Sequence, residues 1–151
     1  MLDDTDRRLL RHLQGDPTLG LPDLADLLRV SPARVSRRLD RLRADGVLLG
    51  QRARINWAAL GYAIGVSLRI TLDKTQPRAF DEFLAAARKV PEVTEVQTFL
   101  GRVDVRLYLV ARDLPDYQRI YRDHVLTLPH IAEIEALMDV ARVHASAEVP
   151  L

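Results

Sequence analysis

The spacing of apolar residues changes near residue 60, and that change splits the chain into two folding problems. Before it, apolar side chains recur every three or four positions: Leu9, Leu10 and Leu13, then Leu24, Ala25, Leu27 and Leu28, then Val35, Leu39 and Leu42. Such stripes bury one side of a helix. After it, Ile64, Val66, Leu68, Ile70 and Leu72 alternate with Gly65, Ser67, Arg69 and Thr71. That alternation sends every second side chain to one face of a strand. A chain of 151 residues holds one ordinary domain or two small ones. The switch argues for two: residues 1–55, a linker at 56–62, and residues 63–151.

The first part reads as three helices. Asp3, Asp4 and Asp6 suit the positive N-terminal end of a helix running to Gln14, and Gly15-Asp16-Pro17 stops it. A second helix starts near Pro22; Leu21 is a poor cap, so Pro22 must do most of the initiation. Arg29-Val30 is a turn. A third helix opens on Ser31 as N-cap with Pro32 at its first position and ends at Asp45-Gly46. Val47–Leu49 and Ala53–Ile55 flank Gly50-Gln51-Arg52 as either a small wing-like pair or an extended connector. Asn56 is placed to cap one helical turn at the boundary.

Net charge is only +1, yet it is unevenly spread. Arg29 to Arg54 holds eight arginines against Asp40 and Asp45, whereas from Leu60 onward thirteen acids face eleven bases. A basic block beside an acidic remainder points to one polyanion-facing part and one part with another task. The arginines concentrate on the third helix, opposite its apolar stripe. A short helix anchored on one side and cationic on the other meets the needs of a duplex-reading element. Cysteine is absent, which removes disulfides, thiolate metal sites and cysteine nucleophiles. No apolar run is long enough to cross a membrane, and the acidic start Met1-Leu2-Asp3-Asp4 lacks signal-peptide order. A cytoplasmic protein is expected.

Beyond the boundary the order is β-α-β-β-α-β. Phe80, Phe83, Leu84 and Ala87 stripe one helix, and Leu114, Tyr117, Tyr121, Val125 and Leu128 the other. Strands are expected over Val93–Leu100, Val103–Leu109 and Ile134–Val140. This is the ferredoxin-like split motif, an α+β fold with helices on one sheet face. Phe99, Tyr108, Val110 and Leu137 fall toward the other face, for which a second copy of the chain is the natural cover.

A winged-type helix-turn-helix followed by βαββαβ, opened by Leu2-Asp3-x-x-Asp6-x-x-x-Leu10, resembles the Lrp/AsnC family of feast/famine transcription regulators. Leu24-Ala25, Ser31-x-x-x-Val35-x-x-Arg38-Leu39-x-x-Leu42, Gly46-Val47 and Gly101-x-x-Asp104 carry the likeness in order and spacing across the chain. The resemblance implies a sequence-specific regulator of double-stranded DNA, built from dimers often assembled into tetramers or octamers. It also implies an amino acid or related small effector bound between subunits. The effector loop would be Leu100, Gly101, Arg102 and Asp104, with Ile134 and Ala136 of the last strand. Family members usually carry threonine where Leu100, Ile134 and Ala136 stand, and glycine where Arg29 stands. Pro129-His130-Ile131 matches a segment that usually reads Pro-Gly-Val.

On the third helix, Ala33, Arg37, Asp40 and Arg41 point away from the stripe. The N-terminal part of such a helix enters the major groove, so Arg34 and Arg37 are assigned to base edges or nearby phosphates. Ser31, Ser36 and Arg41 are assigned to the DNA backbone. Arg38 has two readings, a phosphate contact or an intramolecular ion pair. Arg52 and Arg54 either extend the basic surface or are simply solvated. Asp104 is either a seat for an effector ammonium or a turn carboxylate held by backbone N–H groups or by Arg102 or Arg106. Trp57 reads as a plug at a domain or subunit contact.

His12, His124, His130 and His144 are scattered, so no metal site is expected, and no cofactor either. Two rival readings remain. One is an enzyme subunit like siroheme decarboxylase, which shares the architecture; the strand Gln97–Arg102 lacks the histidine expected of one. The other is a ligand-blind architectural or assembly protein.

Overall fold

The computed structural model describes residues 1–141, 143 and 148–151. The chain forms two compact units, Met1–Arg54 with Val143–Leu151, and Ile55–Arg142. The expected second domain ran to residue 151. Instead, the Gln14 amide donates to the Val149 carbonyl at 3.1 Å and accepts from the Val149 N–H at 2.8 Å. Arg11 donates to the Leu151 carbonyl. His144 lies outside the described residues.

The first unit holds α1 (Asp4–Gly15), α2 (Leu21–Leu28) and α3 (Pro32–Ala44). Leu9, Leu10, Leu24, Ala25, Leu28, Val35, Leu39 and Leu42 form its core. The start of α2 corrects the sequence reading. Gly20 is the N-cap, and the Asp23 carboxylate reaches back to accept from its N–H at 3.1 Å. A carboxylate at the third helical position thus shares initiation with Pro22. Ser31 has the extended N-cap backbone, but its side chain makes no capping bond. Its carbonyl accepts from the Arg34 and Val35 N–H groups instead. Arg29 closes α2 at φ 56, ψ 46, the left-handed region usually left to glycine. Residues 47–55 contain no strand; of the two readings for this stretch, the connector holds.

The second unit opens on a single 3-10 turn, Ala58–Leu60, where the Ala59 N–H donates to Asn56 Oδ1. Then follow β1 (Ile64–Leu72), α4 (Ala79–Ala87), β2 (Val93–Thr98), β3 (Val105–Ala111), α5 (Leu114–Ile120) and β4 (Ile131–Met138). The sheet order is β2-β3-β1-β4, antiparallel throughout. Val66, Leu68, Ile70, Val105, Leu107 and Leu109 face the helices and are fully buried.

Two helical stripes differ from expectation. In α4, Ala79, Phe83 and Ala87 are buried while Phe80 is exposed. After α5 the chain continues as one π-helical turn, Tyr121–Val125. The wider turn holds Ile120 and Val125, five residues apart, in one core with Leu128, and Tyr117 and Tyr121 pack against it; of the expected stripe only Leu114, at the start of α5, is exposed.

The open sheet face is mixed rather than apolar. Arg69 and Arg106 are register partners at its centre; Arg69 pairs with Glu135 at 3.4 Å and Arg106 with Glu95 at 2.8 Å. Tyr108 crosses over Gly65 to donate to Asp139 at 2.6 Å, and a Cβ on Gly65 would sit 2.1 Å from its hydroxyl oxygen. Phe99 and Leu137 remain exposed, with Tyr108 and Val110 half-buried.

Candidate nucleic-acid interface and sensor loop

The stripe of α3 buries Val35, Leu39 and Leu42, which turns Arg34, Arg37, Arg38 and Arg41 to one side, where they line an open cleft. Four guanidiniums this close repel one another unless some are neutralised. The N-terminal end of α1 supplies that neutralisation. Asp3 and Asp6 form a reciprocal cap: the Asp6 N–H donates to Asp3 Oδ1 at 2.8 Å and the Asp3 N–H to Asp6 Oδ2 at 3.0 Å. The same carboxylates receive the arginines. Arg38 Nη1 lies 2.7 Å from both Asp3 Oδ2 and Asp6 Oδ1, and Arg41 Nη2 lies 2.5 Å from Asp6 Oδ2.

The carboxylate of Asp6 is fully buried, and each of its oxygens accepts from a guanidinium. Hydrogen bonding from Arg38 is the largest influence on Asp3, whose carboxyl is held below the usual range. Of the two readings for Arg38, the ion pair is observed. Arg41, assigned to the duplex backbone, also has an internal partner. Arg34 and Arg37 are exposed and form no ion pair among the described residues. Ser31 is exposed and Ser36 half-buried. The sequence did carry the signal for the Asp6 contacts. Acidic residues at a helix start mark only favourable charge, and a partner thirty-two residues away leaves no local pattern.

In the second unit, the β2–β3 connection places Leu100, Gly101 and Arg102 in solvent, with Gly101 at φ 156. Asp104 turns inward. Its Oδ2 accepts from the Leu72 N–H at 2.9 Å, and Oδ1 lies 3.0 Å from Lys74 Nζ. Burial pushes this carboxyl up, but the Leu72 N–H and the Lys74 ammonium outweigh it and hold it below the ordinary value. The expected alternatives named Arg102 or Arg106; the partner is Lys74, and Arg106 is taken by Glu95. The Arg102 carbonyl accepts from the Thr71 hydroxyl at 3.1 Å, fixing the loop to the end of β1. On the far side of β1, Ile134 pairs with Ile70 and Ala136 with Leu68. Ile134 packs on the core, and Ala136 is exposed. No cluster of potential metal ligands occurs among the described residues. None of their helices is long and apolar enough to cross a membrane.

Residues 66–147 match the family model of the Lrp/AsnC ligand binding domain, and residues 2–49 that of a winged helix-turn-helix DNA-binding domain. The chain belongs to the Lrp/AsnC family. It is 30% identical over 132 residues to the proline dehydrogenase transcriptional activator of Rhodobacter capsulatus, covering 87% of this chain and 86% of that protein. It is 31% identical over 130 residues to the leucine-responsive regulatory protein of Haemophilus influenzae, covering 86% and 78%. A feast or famine regulatory protein from M. tuberculosis, solved with L-methionine, superposes with a TM-score of 0.88 at 26% identity over 99% of both chains. E. coli AsnC superposes at 0.90 with 23% identity, a likeness of fold. The Lrp/AsnC relatives are named as transcription regulators, and this chain is a DNA-binding regulator of that kind.

Proposed function

We propose that this Lrp/AsnC regulator reads duplex DNA with the N-terminal half of α3, Arg34 and Arg37 reaching base edges or adjoining phosphates. Ser31, Ser36 and the outer guanidinium edges of Arg38 and Arg41 take the sugar-phosphate backbone. One observation carries this reading: of the four arginines in the cleft, two are held by Asp3 and Asp6, and two are exposed with no ion pair among the described residues. An unpaired guanidinium meets a base edge without first breaking a protein contact.

The test uses a duplex enriched from a random pool by the intact chain, beside a shuffled duplex of equal composition. Arg37→Ala weakens the enriched duplex by about 1–3 kcal/mol and the shuffled one less. Arg41→Ala weakens both alike and lowers the salt slope by about 0.9. Equal losses for both variants on both duplexes overturn the assignment.

The sensor half of the proposal places an amino acid or related metabolite at Leu100, Gly101, Arg102 and Asp104, with Ile134 and Ala136 nearby, and the regulator works as a homo-oligomer without enzymatic activity. The L-methionine complex of the M. tuberculosis relative supports the ligand class. Exposed Phe99 and Leu137 on the open sheet face support a second copy as its cover. An effector ammonium reaching Asp104 must displace Lys74, whose side chain is two-thirds exposed. Leu100, Ile134 and Ala136 offer no hydroxyl, so the ligand's apolar part supplies more of the contact. Titration calorimetry with a panel of amino acids gives heat for apolar members first; no heat from any member rejects this half. A monomer by equilibrium sedimentation rejects the oligomer.

A further inference from the structure

A carboxylate is a strange neighbour for a surface that attracts polyanions. Asp6 is fully buried, yet it sits beneath the arginine cleft and accepts from Arg38 at 2.7 Å and Arg41 at 2.5 Å. A role confined to capping α1 would need only its contact with the Asp3 N–H. The two extra bonds run to side chains whose outer edges line the cleft; Arg38 keeps 24% and Arg41 47% of its side-chain exposure. Each guanidinium has five donors in a planar fork, so one edge can be held from behind while the other faces outward.

We infer that Asp6 is a positioning residue for DNA reading: it fixes the planes of Arg38 and Arg41 and cancels part of their charge, so that the face discriminates sequence instead of attracting any polyanion. Asp3 assists through its single contact with Arg38. The reasoning has two parts. Long arginine side chains lose considerable rotamer freedom when ordered, and a buried carboxylate has already ordered these two before any duplex arrives. Binding to arbitrary duplex scales with the number of phosphates neutralised. Two arginines that share Asp6, one of them also paired with Asp3, therefore contribute less to that sequence-blind attraction than two free ones would.

This inference rests on α3 being the reading helix, and the test separates the two ideas. The intact chain and its Asp6→Asn variant are compared on the enriched and shuffled duplexes across a salt series, with thermal unfolding as a check. Asparagine is nearly isosteric and can still accept from the Asp3 N–H, but it removes the charge. Asp6→Asn should weaken the enriched duplex by only about two- to threefold, because Arg38 and Arg41 hold its backbone in register while the base contacts stay with Arg34 and Arg37. On the shuffled duplex affinity should hold or rise, and the salt slope should steepen by up to about one unit. A purely structural Asp6 would lower both affinities by one common factor and leave the slope alone; that result, or no change on either duplex, overturns the inference. Should Asp6→Asn fail to fold, Asp3→Asn, which keeps a good N-cap, must lower the enriched-to-shuffled ratio two- to threefold; an unchanged ratio then overturns it. A wild-type chain that enriches no sequence sinks the reading-helix assignment itself.

Discussion

Each of the two units buries one carboxylate, Asp6 in the first and Asp104 in the second. Their partners differ in kind. Asp6 receives two guanidiniums from another helix, and both remain at the surface where DNA is proposed to bind. Asp104 receives a backbone N–H from the neighbouring strand and one largely exposed ammonium. The first contact set organises side chains that act on a partner. The second closes a sheet corner and leaves only one displaceable contact. A buried carboxylate therefore does not by itself mark a functional site; the character of what it holds decides.

The sharpest way to break this comparison is Asp104→Ala. The Leu72 N–H would lose its acceptor in a buried place, which costs about 1–3 kcal/mol. For a unit of this size that lowers the melting temperature by roughly 5–15 °C. Asp104→Asn keeps an acceptor for Leu72 and should recover most of the loss, as differential scanning calorimetry would show. If Asn is as damaging as Ala, the Lys74 contact dominates and Asp104 resembles Asp6 after all.

Much of this architecture was legible in the primary structure. The change from helical to alternating spacing separated the three helices from the sheet that follows, and the βαββαβ order followed from it. The misses have physical causes. Phe80 and Leu114 fit a regular helical stripe, but each lies at the first turn of its helix, where α4 buries Ala79 in place of Phe80 and α5 buries Ile120 rather than Leu114. Arg34, Arg37, Arg38 and Arg41 were identifiable as a group. Which two are neutralised depended on contacts between residues 3 or 6 and residues 38 or 41, and only tertiary structure fixes those. The Lys74 partner of Asp104 was hidden for the same reason.

Acid sharpens the comparison at smaller scale. Both Asp3 and Asp104 have folded-state values below their ordinary 3.8. For a depressed carboxyl, the stabilising contribution is complete above the unfolded value and disappears as pH falls through the folded one. Each unit should therefore hold its stability down to about pH 4 and lose it below. Asp3→Asn should flatten that acid limb in the first unit and Asp104→Asn in the second. Trp57, the only tryptophan, lies in the second unit and reports it by fluorescence, while helical circular dichroism weights the first. An unchanged acid limb in both variants would show that other carboxylates control unfolding.

The smallest effects come from two left-handed residues, one in each unit: Arg29 at φ 56 and His130 at φ 62. Both stand where the family commonly has glycine. A side chain in this region costs about 1–2 kcal/mol, and glycine returns part of that through the greater entropy of its unfolded chain. Arg29 is exposed and forms no ion pair among the described residues, so Arg29→Gly should stabilise by about 0.5–1 kcal/mol in urea unfolding. His130 is different. Its Nε2 lies 2.7 Å from Glu82 Oε2, and this contact is the main reason that the Glu82 carboxyl is held below its usual value. His130→Gly gains the same backbone relief but loses that pair, so its net effect should be smaller, close to zero at neutral pH. The Glu82 contribution is present above 4.5 and fades as pH falls through its lower folded value. The gap between the two variants should therefore narrow in acid. If His130→Gly stabilises as much as Arg29→Gly at neutral pH, the histidine–glutamate contact contributes nothing, and the two left-handed positions are equivalent.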